Sequence, residues 1–284
     1  MKKAQYFYLL RRGFFSGGGL DSDYQAVLDQ ATTQGFTAPS DTQQNLQSNI
    51  IKTLKAYGVW DKLDLFYLLA GEQENFARLN WKAPAKFELA NSGTPTFTTN
   101  KGFSNGGGSN YLDTTFNFTN GDKYKLNDAG AFVAFPIMST TSKTNNRVYG
   151  NEEPTSANFL SPRIDVDGSS SSNRNWINGS DYQDPTTALD FHKDNDTIFF
   201  QNRTDDSTAN YRSTDLAAND VKSAEDTASS SSSLLNDNLV LLQAKGAYLE
   251  STATIGMFGL GGALTATDMQ TIERAWYTNY YTKL

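Results

Sequence analysis

The sequence predicts a mainly β protein, a jelly-roll type of sandwich with a small helical subdomain near its N-terminus and a helix at its C-terminal end. From Asn80 onward, short runs of β-branched and aromatic residues alternate with Gly, Asn, Asp and Ser, which is typical of sandwiches. Before that point, and again after Thr265, apolar residues recur at helical spacing. The 284 residues, 38% of them hydrophobic, supply enough apolar material for a large core.

The first of three predicted parts is an N-terminal arm, residues 1–20, with a hinge of three consecutive glycines at 17–19. An extended apolar segment can pair with the exposed edge of a neighbouring subunit's sheet. Pairing with the sandwich of the same chain explains the pattern equally well, because a sequence indicates where a strand lies but not which sheet the strand joins. The candidate partner-binding residues are the aromatic and leucine side chains of the arm before its glycine hinge: Tyr6, Phe7, Tyr8, Leu9, Leu10, Phe14 and Phe15.

The second predicted part is a helical lead-in subdomain, residues 21–79. A short helix begins near Ser22 and ends near Gly35, and a clearer one is capped by Ser40 and ended by Gly58. A third turn or helix is predicted over residues 60–69. Helices this short need to pack on the sandwich or on each other, so we interpret Trp60 as a core residue.

The third predicted part is the β-sandwich domain, residues 80–284, which closes with a helix capped by Thr265 or Thr267. Serine runs at 169–172 and 229–233 are predicted as loops, and the acidic stretch 215–226 as a polar segment with room for one helical turn. The candidate strands are 95–99, 111–117, 130–138, 147–150, 159–165, 175–177, 197–202, 239–244 and 252–258.

Charge and cysteine content exclude several classes of partner and site. A net charge of −7 and a pI near 4.8, with no cluster of Lys and Arg, argue against binding to nucleic acid. The absence of cysteine excludes disulfides and thiolate metal sites. The apolar run near the N-terminus is interrupted by Arg11 and Arg12, so it is too short for a secretion signal, and no later run predicts a membrane span.

The residues available for catalysis predict that the chain is not an enzyme. His192 is the only histidine, in a charged segment typical of a surface turn, and no Gly-x-Ser-x-Gly motif accompanies it. A glycosidase would need two carboxyl groups facing each other across a cleft. The pairs with strand-like spacing, Asp165 with Asp167 and Glu72 with Glu74, both adjoin predicted turns or loops.

No cofactor or metal is predicted, although Ca²⁺ is the ion that loop carboxylates of such sandwiches often hold. No EF-hand pattern is present, and surface solubility explains these carboxylates equally well. The residues that could contribute to a Ca²⁺ site are Asp165, Asp167, Asp181, Asp184, Asp194 and Asp196.

Trp176 and Tyr182 are the candidate glycan-binding residues. Sugar rings bind to an aromatic face bordered by planar hydrogen-bonding groups, and Asn175 and Asn178 flank the tryptophan. A strand tryptophan buried in the sandwich core gives the same pattern, and we favour that alternative.

Six segments stand out together: Thr42-Gln43-Gln44, LKAYGVW at 54–60, NWK at 80–82, TFT at 96–98, NYLDT at 110–114 and GLGGALTATD at 259–268. In these segments the chain resembles virion structural proteins of tailed bacteriophages. The resemblance extends from about residue 21 to residue 118, fades, and returns near the C-terminus. It implies a helical lead-in joined to a concanavalin-like or laminin-G-like sandwich.

The resemblance implies a virion structural protein, a fibre, tail or head-decoration subunit, made in the host cytoplasm and located in the virion. Its expected partners are other virion proteins and further copies of the same chain, without nucleic acid or a membrane span. The first alternative is a glycan-binding module that recognises a host surface glycan. The second, a polysaccharide depolymerase, lacks a convincing pair of catalytic carboxylates.

Overall fold

A computed structural model describes residues 19–138, 148–153, 156–160, 177–178, 195–226, 231, 233–244, 247–248 and 253–284. The helices are α1 (Ser22–Thr33), α2 (Asp41–Ala56), α3 (Glu74–Ala77) and α4 (Ala266–Glu273), and α4 continues into a π-helical turn, Arg274–Thr278. The strands are β1 (Leu63–Leu68), β2 (Ala90–Ser92), β3 (Thr96–Thr98), β4 (Gly102–Ser104), β5 (Tyr111–Asn117), β6 (Ala129–Phe135), β7 (Tyr149–Glu153), β8 (Ser156–Leu160), β9 (Thr197–Arg203), β10 (Ala209–Asp215), β11 (Asp220–Asp226), β12 (Asn238–Leu241), β13 (Gln243–Ala244), β14 (Ala247–Tyr248) and β15 (Met257–Gly261).

Two antiparallel sheets dominate the described part of the chain, which confirms the predicted mainly β class. The larger sheet has six strands in the order β1-β15-β6-β9-β10-β11, and the smaller has five in the order β2-β5-β12-β7-β8. Two short ribbons, β3 with β4 and β13 with β14, also lie in the described part of the chain. Most neighbours within each sheet are distant in sequence, so long-range pairing builds the sandwich.

Strand β6 shows why the six-stranded sheet is covered on both faces. Its seven residues are all buried. Ala131, Val133 and Phe135 face the core between the two sheets, whereas Phe132 and Ala134 face a second core on the opposite side. Because side chains alternate along a strand, a fully apolar strand of this kind needs a layer on each face.

The second core is closed by the helices. Val27 of α1, Ile50 and Leu54 of α2 and Ile272 of α4 pack in one buried cluster with Phe132 and neighbouring residues of the six-stranded sheet. The molecule therefore has three layers: helices, the six-stranded sheet and the five-stranded sheet. Since the helices alone are too short to bury this apolar surface, the sheet supplies the other half of their core.

The turn or helix predicted over residues 60–69 is confirmed only for its first three residues and is wrong for the rest. Only residues 60–62 form a short 3-10 turn, and Leu63–Leu68 is strand β1, which pairs with β15 in the six-stranded sheet. Both faces of β1 are buried, Leu65 and Tyr67 against the inter-sheet core and Phe66 against the helices. When a short segment is buried on both sides, apolar residues occupy both of its faces, so the spacing of apolar residues cannot distinguish a strand from a helix.

The acidic stretch 215–226 was also assigned wrongly. It forms the end of β10, a turn and the whole of β11, with no helical turn. Strand β11 lies at the edge of the sheet, where Val221 is its exposed aliphatic residue. An edge strand with solvated side chains lacks the alternation that identifies a half-buried strand in sequence.

Several local predictions are confirmed. Ser40 caps α2 by accepting a hydrogen bond from the backbone of Gln43, and Thr265 caps α4 in a reciprocal capping box with Asp268. Strands occupy most of the predicted segments at 95–99, 111–117, 130–138, 197–202 and 239–244. Strand β15 begins at Met257, five residues later than the predicted segment 252–258. The predicted segment 175–177 falls almost entirely outside the described residues, and Ile177 belongs to no strand.

Candidate functional site

The arm joins the folded body at a fixed point, the arm root, which we define as residues 19–23. The Nζ atom of Lys52 donates a 2.8 Å hydrogen bond to the carbonyl of Gly19, and the backbone N–H of Asp21 donates one of 2.8 Å to Ser48 Oγ. Both partners lie on α2, the longest helix. The first described residues are therefore held against the helical layer.

An ionic cluster strengthens the arm root. Lys55 Nζ lies 2.7 Å from Asp21 Oδ1 and 3.0 Å from Asp23 Oδ2, and Trp60 Nε1 donates a 2.7 Å hydrogen bond to Asp23. Burial raises the pKa of Asp23, but the hydrogen bonds from Lys55 and Trp60 outweigh it and hold that pKa below its usual value. Asp23 is therefore ionised at neutral pH and stays paired with Lys55.

Lys82 completes this cluster from the sheet side. Its Nζ donates a 2.8 Å hydrogen bond to the carbonyl of Trp60 and lies 4.5 Å from the centroid of the Trp60 ring. Burial lowers the pKa of Lys82, an effect that the neighbouring Asp61 and Asp23 partly offset. Trp60 is thus held between the carboxylate of Asp23 and the ammonium group of Lys82. Because Trp60 lies just before β1, these contacts also connect the arm root to the start of that strand.

A buried hydrogen-bond network joins the helices behind the arm root. Tyr24 donates a 2.6 Å hydrogen bond to Gln47, Gln47 donates one of 3.0 Å to Gln43, and Tyr280 donates one to the carbonyl of Ala70. Burial raises the pKa of both Tyr24 and Tyr280, so both phenols stay protonated donors. The network makes α1, α2 and the C-terminal segment one rigid support.

A second feature lies on the five-stranded sheet, and we call it the amide patch. Its centre is Thr115, a β-branched residue with φ of 56°, in the sparsely populated left-handed region. The backbone N–H of Thr115 donates a 2.7 Å hydrogen bond to Asp113, and the pairing of β5 with β12 shifts register here. The patch consists of Asp113, Thr115, Asn117, Asn236 and Asn238.

The amide patch is chemically suited to hydroxyl-rich ligands. Asn117 Nδ2 donates a 2.9 Å hydrogen bond to Asn236 Oδ1, and Asn238 Nδ2 lies 3.4 Å from Asp113 Oδ1. Tyr111, two residues before Asp113 and so on the same face of β5, is half-buried. Planar amides and a carboxylate beside an aromatic ring can bind the edges and faces of a sugar ring. Backbone strain of this kind also recurs at binding sites.

Most predicted site residues lie outside the described part of the chain, so those predictions stay predictions. They are Tyr6, Phe7, Tyr8, Leu9, Leu10, Phe14, Phe15, Trp176, Tyr182, His192, Asp165, Asp167, Asp181, Asp184 and Asp194. The described range holds Asp196, which stands near Lys101 and Asp215 at the start of β9; burial raises its pKa. Among the described residues, no group of three or more His, Cys, Asp or Glu side chains is arranged to hold a metal ion.

The pair Glu72 and Glu74 has a structural explanation. The carboxylate of Glu72 accepts hydrogen bonds from the backbone N–H of Ser40 at 2.6 Å and from its hydroxyl at 2.7 Å, so it supports the start of α2. Glu74 is the first residue of the short helix α3. These positions fit helix-end roles in which carboxylates are favoured.

Sequence reasoning missed the amide patch. Asn117 and Asn236 meet only because β5 and β12 are neighbours in the sheet. They are 119 positions apart in the chain, so no local motif contains both. The alternation of polar residues along β5 indicates which face of the strand is exposed to solvent, but it does not indicate which strand lies beside β5 in the sheet.

Comparison with known proteins assigns no family: no family model and no curated protein matches this chain. Solved structures with a similar arrangement include domain 4 of AbnA, a GH43 extracellular arabinanase from Geobacillus stearothermophilus in complex with arabinotriose. That match has 14% identity and a TM-score of 0.47, and it covers 76% of this chain and 98% of that one. Another is a mutant Trypanosoma rangeli sialidase displaying trans-sialidase activity, with 12% identity, a TM-score of 0.49 and coverage of 82% and 39%.

The botulinum neurotoxin serotype D binding domain is a third, with 10% identity, a TM-score of 0.45 and coverage of 77% and 52%. This chain therefore spans about two fifths of the sialidase and about half of the toxin domain. With TM-scores below 0.5, these likenesses assign no activity, ligand or partner to it. Separately, none of the helices in the described ranges has the length and apolar character needed to cross a membrane.

Proposed function

We propose that this chain is a structural subunit of a tailed-bacteriophage particle, a fibre, tail or head-decoration protein, and that it works through protein–protein contacts. The observation that supports this best is the arm root. An aromatic segment of 18 residues precedes a point that Lys52, Ser48 and Lys55 fix to the helical layer. The resemblance of residues 21–118 to virion structural proteins supports the same role.

An apolar arm attached to a packed three-layer body suits assembly because binding costs less when the body that carries the contact is already folded. The three-layer body is already ordered, so a contact made by the arm does not have to restrain the body's own conformation. The seven candidate partner-binding residues of the arm, among them Tyr6 and Phe15, are large and apolar, and burial of such side chains contributes about 1.5–3 kcal/mol each. A partner that buries several of them would be held stably.

The test is to purify the phage particle, identify its proteins by peptide mass spectrometry and locate this chain by cryo-electron microscopy. We expect stoichiometric peptides and density for a three-layer domain on the head or the tail. A particle that lacks the chain, produced by cells that express it, would contradict the proposed role.

A glycan-binding function is the second candidate, and the amide patch favours it. If a host-type polysaccharide binds there, Asn236→Ala should weaken binding about five- to tenfold, the effect of losing about one hydrogen bond. Tyr111→Ala should weaken it similarly by removing the aromatic face. Asn45→Ala, at an exposed position on α2, is the matched control and should leave binding unchanged.

Binding is measured by calorimetry after a screen of a broad glycan panel, with the fold of each variant checked by circular dichroism. Loss of binding in Trp176→Ala, with Asn236→Ala unaffected, would place the glycan at the predicted Trp176 and Tyr182 instead. No binding across the panel would remove this candidate.

A further inference from the structure

Strand β11 is an edge strand suited to strand addition. It is the last strand of the six-stranded sheet as described, and its seven residues pair in unbroken register with β10. Val221, Ser223 and Glu225 are exposed on it, with Val221 at 44%. An edge of this length presents a row of backbone donors and acceptors along which a further strand can pair.

The charges of β11 disfavour pairing with a second β11. Its sequence, DVKSAED, holds three acidic residues and one lysine, so two copies repel each other. Antiparallel self-pairing centred on Ser223 would also place Val221 opposite Glu225 of the other copy. The better occupant is a basic strand with apolar residues at its centre.

The N-terminal arm of this chain has that composition. Lys2, Lys3, Arg11 and Arg12 flank the apolar run Tyr6 to Leu10, and residues 1–18 contain no acidic residue. Antiparallel pairing that sets Arg11 opposite Asp220 sets Leu10 opposite Val221 and Tyr8 opposite Ser223. One register therefore combines an ion pair with an apolar contact. Asp220 and Lys222 already make contacts within the subunit, so docking draws only on the charge of Asp220 and on the backbone of the exposed residues Val221, Ser223 and Glu225.

The position of the arm root favours exchange between subunits. The root contacts Trp60, just before β1, and β1 and β11 are at opposite ends of the six-stranded sheet. Five strand spacings separate them, about 24 Å. The nine residues from Gly19 back to Leu10 span at most about 32 Å when fully extended, and the helical layer lies in the path. The arm is therefore long enough for either pairing, and it is the helical layer over the sheet that favours a neighbour's β11.

We propose that β11 receives residues 5–10 of another copy's arm as an added antiparallel strand, so that copies join head to tail. The proposal rests on the assembly role given above and names the partner as a second copy of this chain. Its test uses the purified full-length chain alone, whereas the assembly role is tested on the particle, so the two results are separate.

Disulfide trapping tests the proposal cleanly because the chain has no cysteine of its own. Full-length Tyr8→Cys and Ser223→Cys chains are mixed, oxidised and separated on a non-reducing gel. We expect the mixed dimer to form at least tenfold faster than with the control pair, Tyr8→Cys and Ser92→Cys. Ser92 is a serine on β2, the first strand of the other sheet. The experiment is repeated with Phe7→Cys and with Leu9→Cys in place of Tyr8→Cys, to detect pairing that is shifted by one residue in either direction.

A single chain with both Tyr8→Cys and Ser223→Cys separates exchange from pairing within one chain. Linked oligomers are the expected product, and a monomer closed on itself would overturn the exchange. Equal rates for the β11 and β2 pairs at all three arm positions would overturn β11 as the acceptor. Circular dichroism and thermal melting confirm that each variant is folded, so a lack of cross-linking cannot be ascribed to unfolding.

Discussion

Arg212 and Glu273 form a two-pronged ion pair that ties the last α-helix to the sheet. The Nη2 atom of Arg212 lies 2.7 Å and 2.9 Å from the two carboxylate oxygens of Glu273, and Thr214 donates a further 2.6 Å hydrogen bond to Glu273. The two charged side chains are only 13% and 12% exposed. A buried ion pair stabilises the fold only if its geometry is good enough for the attraction to offset the cost of removing both charges from water.

We therefore expect Glu273→Gln to lower the free energy of unfolding by about 3 kcal/mol, since it leaves a buried guanidinium without its counter-charge. Urea denaturation at neutral pH measures the change. The control is Lys123→Gln, which breaks the exposed pair of Lys123 with Asp122 and should cause no measurable change. Equal stability of the two variants would contradict a role for the buried pair.

At the scale of the element, α4 is held by its N-terminal cap. Asp268 accepts hydrogen bonds from the backbone and hydroxyl of Thr265, at 2.6 Å and 2.8 Å, and from Lys62 Nζ at 2.6 Å. Burial raises the pKa of Asp268, but the hydrogen bonds from Lys62 and Thr265 outweigh it and lower that pKa below its usual value. The charged carboxylate thus joins the helix to the turn before β1.

A lowered pKa in the folded state has a definite consequence for stability against pH. The contribution of Asp268 is fully present above its unfolded pKa of about 4 and is lost as pH falls through the lower folded pKa. We expect Asp268→Asn to lower the free energy of unfolding by about 1–2 kcal/mol at pH 7. Denaturation curves from pH 7 to pH 2 should show the difference shrinking below pH 4, and a difference independent of pH would contradict this role.

At the scale of the whole molecule, the six-stranded sheet is the central layer of the described residues. Every layer contact described above is made by residues after the arm, and the root itself is fixed by α2 and Trp60. Removal of residues 1–18 should therefore leave the midpoint of thermal unfolding within about 2 °C, because no described core residue is lost.

The same truncation should abolish self-association, as measured by sedimentation of the full-length and shortened chains at equal concentration. Unfolding of the shortened chain would instead show that the arm belongs to its own core. A folded, shortened chain that still self-associates would place the contact elsewhere on the body.

The residues of this chain by themselves determined its class and much of its local structure. Ser40 and Thr265 are caps because of their hydroxyls and the residues that follow them, and β5, β6 and β9 are strands because β-branched and aromatic residues fit a pleated sheet. Interactions of this kind involve only about four or five consecutive residues, so they can be predicted from the sequence without knowledge of the fold. The absence of disulfides follows just as directly from the composition.

Only the tertiary structure decided which strands are neighbours, and with them the role of several segments. Strand β1 is a strand because β15 and both cores surround it, and β11 is one because β10 supplies its hydrogen bonds. The amide patch exists because β5 lies beside β12. These contacts join residues up to 198 positions apart in the chain, and pairing at that distance depends on the packing of the whole core rather than on any local pattern.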